Sequence, residues 1–291
     1  MNRTPGSSVS LKVIYIIYIV AFLVFLFVPL VINGVLAFND KDSPSLPWSG
    51  FTLDWFYSAD DERVGVFNDN VMLRAISMSL RVALSVGVLS IVVGTLSSFL
   101  FVRERFWGKK FFHIAIIAPL VIPGIIIGIS ILVFFYGLIG VLRTVFGTQI
   151  ARPFVKMLQP GFLPVVLGQF SFIGTVATLV ISARLRKFPI ELEEAAMDLG
   201  STRWGAVLRV TVPYLLPSII GAGVISFLLS FENFPITLFL IGHTPTIPIY
   251  LFSRLRFSLT PQINAISVVL MAGTSLLVLI GLGVMRLKQT K

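Results

Sequence analysis

Long apolar runs alternate along the chain with short polar stretches, and the lengths of the runs are the first clue. A helix rises about 1.5 Å per residue and needs about 20 apolar residues to cross a hydrocarbon core about 30 Å thick. Six runs meet that length, over approximately 12–37, 75–102, 111–137, 162–183, 214–241 and 262–285. The first has no charge between Val13 and Ile32. That is longer than the h-region of a signal peptide, about 7–15 residues, so it is read as a retained anchor although Val35, Leu36 and Ala37 resemble a cleavage site. Pro119, Pro123 and Gly124 predict a bend in the third run. The fourth is the least apolar, with Gln169, Ser171 and Ser182 inside it. An even number of spans puts both termini on one side.

Two connecting segments stand out. Residues 38–74 are rich in turn formers and acids, including Asp40, Asp42, Asp60, Asp61, Glu62 and Asp69, and predict a short cap. Residues 184–213 contain RLRKFPIELEEAAMDLGSTRWGAVLRVTVP. Pro189 suits the start of a helix, and Glu191, Glu193 and Glu194 follow where negative charge favours the helix N-terminus. Gly200 sits where a left-handed residue ends that helix, and Ser201 is the expected N-cap of a second one that stops before Pro213. Leu192, Ala195, Ala196 and Leu199 recur at i, i+3, i+4, i+7 and share one face. An amphipathic helix lying on lipid headgroups carries a basic polar face and large apolar anchors. Acids and small alanines instead predict close approach by a protein partner.

Composition agrees with a membrane reading. Hydrophobic residues make up 56% of the 291, charged residues only 12%, and the mean hydropathy is +0.95. Soluble domains carry about 25% charge. A soluble enzyme, a secreted disulfide scaffold and a disordered regulator are excluded. Cysteine is absent, which excludes a disulfide, a thiol nucleophile or a thiolate metal site. The net charge of +10 is read as orientation rather than nucleic-acid binding. Fourteen Lys and Arg lie on the side of the termini against nine on the other, which places the termini, the 103–110 loop and the 184–213 loop in the cytoplasm. No GxxxxGK[ST] loop, HExxH or nucleophile–His–acid set is present, so the chain is expected to be no enzyme and to hold no cofactor or metal itself. The reading is an all-α integral membrane protein with one membrane domain over 1–291.

Glu194-Ala195-Ala196, three residues, Gly200, nine residues and then Val210-Thr211-Val212-Pro213 resembles the EAA signature of ABC-importer permeases, with valines for the usual Ile and Leu. FNDKDSPSLPWSGFTLDWF, APLVIPGIIIGISIL and SFENFPITLFLIG are similar to segments of spermidine/putrescine-type permeases. The resemblance implies a type I importer permease fold of six helices in a bacterial inner membrane. It implies that Glu194, Ala195, Ala196, Asp198, Leu199 and Gly200 dock on an ATPase subunit, and that ATP and Mg are bound by two such partner subunits. A second permease subunit, an external solute-binding protein and surrounding lipid complete the expected partners. The implied cargo is a small solute, a polyamine first, with iron, a phosphonate or an amino-acid-like compound as the alternatives.

Polar residues within the spans are candidates for the translocation path. A carboxylate in hydrocarbon is costly, so Glu232, with Asn233 beside it, faces a cavity, pairs with an arginine or lies near the outer interface. Gln169 wets the same path or hydrogen-bonds across helices. A secondary transporter also needs broken helices and buried polar groups and is the alternative. The EAA-like loop and the lack of an evident inverted repeat argue against it.

Overall fold

The computed structural model describes residues 7–60, 63–257 and 260–289; Asp61 and Glu62 of the acidic segment lie outside the described residues. The helices run in order α1 (Ser7–Leu36), α2 (Asp54–Tyr57), α3 (Asn70–Arg103), α4 (Lys109–Val121), α5 (Gly124–Leu158), α6 (Phe162–Leu185), α7 (Glu191–Asp198), α8 (Arg203–Ala206), α9 (Val212–Phe231), α10 (Thr237–Leu240), α11 (Ile247–Phe257) and α12 (Gln262–Gln289). A two-stranded antiparallel ladder joins β1 (Ala59–Asp60) to β2 (Arg63–Val64). Among the described residues five helical stretches are long and apolar enough to cross a membrane: Leu11–Leu36, Asn70–Arg103, Gly124–Leu158, Phe162–Leu185 and Arg203–Phe231. The sixth expected span coincides with α12, whose Gln262–Leu276 stretch is apolar but shorter.

Contacts divide the chain into two compact units. The first comprises the residues up to Asn70 together with Ser253–Leu287. Helix α1 is apolar all round, with none of its most apolar window buried, as a helix surrounded by lipid requires. Behind it the 38–60 segment folds on Asn39, whose carbonyl accepts the Trp55 indole N–H at 3.0 Å and whose side-chain oxygen accepts the Ser49 N–H at 2.8 Å. Arg63 reaches Asp40 at 2.7 Å and Asp42 at 2.9 Å, and its guanidinium lies 5.4 Å from the Trp55 ring. The hydrogen bond it donates to Asp40 holds the pKa of the Arg63 guanidinium above its ordinary value. Buried Asp69 accepts from Arg254 at 2.9 Å and from Gln262 at 3.4 Å, tying the residues before α3 to α11 and α12.

The second unit, Val71–Phe252, holds the main bundle. Along α3, the small residues Ala75, Ser79, Ala83, Gly87, Gly94 and Ser98 are buried, while Leu84, Val88, Val92 and Leu96 are exposed. That stripe lets α3 approach α6 closely: a Cβ on Gly94 would stand 3.1 Å from Ala177 Cβ, and Ser98 donates to the Thr178 carbonyl at 3.0 Å. Helix α6 has the most buried window of the five, and its polar residues Gln169, Thr175, Thr178 and Ser182 all face inward. Thr175 donates to the Ile116 carbonyl of α4 at 2.7 Å. The core gathers Met78, Val82, Val86, Ile127, Ile173 and Leu240 with their neighbours.

Two expected spans are broken rather than continuous. The third is split into α4 and α5, because Ile122 is extended (φ −82°, ψ 128°). The residue before a proline is driven out of the α region, here by Pro123. Helix α5 is interrupted again at Gly147, with φ 74°. The fifth expected span ends its helix at Phe231, leaves it over Glu232–Ile236 and resumes as α10. Glycines make room for this break: a Cβ on Gly128 would stand 2.9 Å from the Ile236 carbonyl oxygen, and one on Gly124 3.1 Å from Pro235. Gln169 ties the break to α6. Its amide donates to Thr237 Oγ1 at 2.8 Å and its carbonyl oxygen accepts from Ser230, while Thr237 donates to the Asn233 carbonyl at 2.8 Å.

Adding a methyl group at Gly128 forces backbone to move, whereas Gly137 has nothing within 4 Å of an added Cβ. Gly128→Ala is expected to lower stability by about 1–3 kcal/mol through overpacking. Gly137→Ala should be neutral or stabilising by up to about 1 kcal/mol through helix propensity. Thermal unfolding midpoints in detergent should move in these opposite directions. In the same assay Gln169→Leu should cost about 1–3 kcal/mol, because it strands the Ser230 hydroxyl in a dry interior.

Candidate functional site

Helix α7 is short, and its ends are built by local rules. Glu191, Glu193 and Glu194 occupy its first turn. Its far end closes with Gly200 at φ +89°, the Gly200 N–H bonded to the Met197 carbonyl at 2.9 Å and the Ser201 N–H to the Ala196 carbonyl at 3.0 Å. This is a Schellman motif with glycine at the left-handed position. Ser201 is therefore committed to ending α7. Thr202 is the N-cap of α8, accepting from the Gly205 N–H at 3.1 Å, which corrects the expectation for Ser201 by one residue.

A second expectation is also corrected. The segment does not stop before Pro213, which is the second residue of α9 in a continuous helical run from Arg203. A proline ring in a regular helix collides with the carbonyl four residues earlier. Here Val207–Thr211 form a π-helical turn, which widens the backbone just before Pro213 and lets the helix continue.

The outward surface of α7 mixes apolar and acidic residues. Leu192 and Met197 are exposed, Ala195 likewise, and Leu199 is 90% exposed; Glu194 and Asp198 lie on the open surface as well, and Ala196 is half-buried. The inward-facing residue is an acid. Glu193 is only 5% exposed and pairs with Arg103 at the end of α3 and with the Thr211 hydroxyl. Around this pair Leu185, Phe188 and Leu215 form a small core, and Arg184 lies 4.2 Å from the Tyr214 ring. The six residues of the EAA-like loop singled out from sequence thus lie together on one short helix and its cap. The sequence places Glu193 only as one of three acids at the helix N-terminus and does not single out Arg103 and Thr211 as its partners; the only signal for them is an arginine ending a span.

The polar residues expected along a pathway separate into two kinds. Gln169 is fully buried, and both its polar ends are engaged within the chain. Asn233 is half-buried at the helix break, with its backbone and side-chain oxygens turned to Thr237. Glu232 is the C-cap of α9, exposed, and its carboxylate has no hydrogen-bond or ion-pair partner among the described residues. A helix C-terminus carries partial negative charge and favours cations, so an acid placed there weakens the helix.

Comparison with known proteins supplies the context for this geometry. The chain is 29% identical over 254 residues to the putrescine transport system permease protein PotI of Escherichia coli K12, covering 87% of this chain and 83% of that one. It is 26% identical over 247 residues to the spermidine/putrescine transport system permease protein PotC of Haemophilus influenzae, covering 84% and 86%. A chain in the crystal structure of a bacterial ABC transporter that imports the acidic polysaccharide alginate shares the fold, with a TM-score of 0.69 at 19% identity and coverage of 97% and 96%. Residues 87–289, more than two thirds of the chain, match the family described as binding-protein-dependent transport system inner membrane component. The chain therefore belongs to that family and is a multi-pass membrane permease subunit of an ABC importer with the type I permease fold.

Proposed function

We propose that this permease lines the path for a polyamine such as putrescine or spermidine, and that α7 with its Gly200 cap is the segment that docks on a cytoplasmic ATPase subunit. One observation carries the docking reading: α7 turns only Glu193 inward and leaves Leu192, Ala195 and Met197 on the open surface, with Leu199 at its cap 90% exposed. Burying a leucine side chain is worth about 1.5–3 kcal/mol, which a partner surface supplies and water does not. The full assembly in this reading has two ATPase subunits that bind ATP and Mg, a second permease and an external solute-binding protein. Both termini and the 184–213 loop lie in the cytoplasm, consistent with the excess of Lys and Arg on that side.

ATP-driven closure of the ATPase subunits draws the docking loops together and rocks the permease pair from an inward-facing to an outward-facing packing. The two packings need differ by only a few kcal/mol for ATP and the loaded binding protein to select between them. The polyamine assignment is supported by the two relatives and by Glu232, a carboxylate without a partner among the described residues, at a helix break where its position costs helix stability. Such an acid at a break within a span fits a cationic cargo.

Two substitutions test this. Gly200→Val meets no steric obstacle, since nothing lies within 4 Å of an added Cβ, but the side chain must adopt a positive φ. That costs about 1–2 kcal/mol, so uptake per ATP hydrolysed should fall about tenfold in proteoliposomes carrying the whole importer. Unchanged coupling would remove the docking role from this cap. Glu232→Gln keeps the shape and deletes the charge. Uptake of labelled putrescine at limiting concentration should drop about tenfold or more while the complex assembles normally; undiminished uptake would reduce Glu232 to a helix cap.

A further inference from the structure

Glu193 and Glu194 are adjacent acids in the first turn of α7 and look interchangeable as helix-dipole partners. The fold separates them completely. Glu194 is exposed, whereas Glu193 is withdrawn from water with both carboxylate oxygens used inside the chain. One accepts from the guanidinium of Arg103, the last residue of α3, and the other from the hydroxyl of Thr211, the last residue of the π-helical turn that leads into α9. Arg103 is itself pinned, its guanidinium 5.4 Å from the rings of both Phe99 and Phe188. Thr211 is fully buried.

We infer that Glu193 is a positioning residue that latches α7 to the ends of α3 and α9, so that a displacement of α7 is delivered to those two spans instead of being absorbed in the flanking loops. The inference rests on the docking reading for its use in transport, though not for its geometry. A buried ion pair adds little stability over apolar residues of the same volume. What it supplies is one fixed arrangement. Without it, α7 hangs between the turns at 186–190 and 199–202, and a pull on its outer face can be taken up by those turns. With it, three elements distant in sequence meet on one carboxylate. The wide π turn sets the phase of Thr211 in this contact and at the same time lets Pro213 follow it, so the same local distortion serves the latch and the start of α9.

The lack of cysteine makes the test clean. Spin labels at Glu191→Cys on α7 and Leu96→Cys on α3, both exposed, report the distance between the two helices by pulsed electron resonance. In the assembled importer in nanodiscs, that distance should be narrow and unchanged between the nucleotide-free and ATP–vanadate-trapped states. With Glu193→Ala added it should broaden and shift between the states, and uptake per ATP should fall about tenfold. The exchange Arg103→Glu with Glu193→Arg should narrow the distribution relative to either single change, and Thr211→Val should fall between the unsubstituted chain and Glu193→Ala. A distance that changes between the states in the otherwise unsubstituted chain, or one that stays narrow in Glu193→Ala, overturns the latch. Should Glu193→Ala fail to accumulate, Glu193→Gln and Thr211→Val decide by the same criterion. Retention of the ATPase subunit by Glu193→Ala and its loss from Leu199→Asp are expected. If no ATPase subunit copurifies even with the unsubstituted chain, the docking reading fails, and the width of the distribution in the chain alone, with and without Glu193→Ala, still decides the latch.

Discussion

Hydrocarbon offers no hydrogen bonds, so any backbone group released inside a span must find its partner within the protein. The arrangement of the main bundle follows from that constraint at one place, the break between α9 and α10. The helix is left at Glu232 and resumed at Thr237, whose hydroxyl donates to the Asn233 carbonyl, and Gln169 of α6 fixes the side chains on either side of the break, its amide donating to the Thr237 hydroxyl and its carbonyl oxygen accepting from Ser230. The Gly161 N–H, just before α6, accepts a further role by donating to the Leu240 carbonyl at the end of α10. Helix α6 is also the most buried of the long spans. Gly124 and Gly128 on α5 allow the irregular backbone to lie against them, which side chains would prevent.

The rest of the bundle inverts the pattern of a soluble protein. In lipid there is no hydrophobic force between helices, because the acyl chains are as apolar as leucine; close packing and hydrogen bonds hold the spans together. Small residues are accordingly interspersed along the inner face of α3 beside Met78, Val82 and Val86, and Leu84, Val88, Val92 and Leu96 face outward. Helix α7 carries a partial inversion into the 184–213 loop: Glu193 is inside, while the leucines lie out beside the exposed Glu191, Glu194 and Asp198. There the inversion has a different cause. The inward carboxylate is held by specific partners, and the outward apolar residues are left open by the described residues of this chain.

These two inversions meet at Arg103, which ends α3 and begins the latch. A rigid span, a buried ion pair and a short helix with open apolar residues form a continuous set of contacts from the bundle to the loop surface. The loop is thus an extension of the bundle rather than an appendage on it. Its surface residues belong to a body whose position the spans determine.

Much of this was legible in the residues alone, for a physical reason. Bilayer thickness demands apolar runs of a set length, so the spans, the all-α class and the membrane location follow from counting. Helix ends obey rules confined to about five residues, so Gly200 could be placed in the left-handed position before any coordinates. The same locality explains the near misses: Ser201 and Thr202 are both competent caps, and only the closure of α7 decides between them. Pro213 reads as a stop because a π turn leaves no mark in composition. Pairings over distance were not legible at all. Glu193 meets Arg103 across 90 residues, and Gln169 meets Thr237 across 68. Which of two adjacent glutamates is buried, and which polar side chain in a span serves its own bundle while Glu232 finds no partner among the described residues, depends on which helix faces which. Only the packed chain determines that, because a carboxylate or an amide carries no preference of its own among partners so far away in sequence.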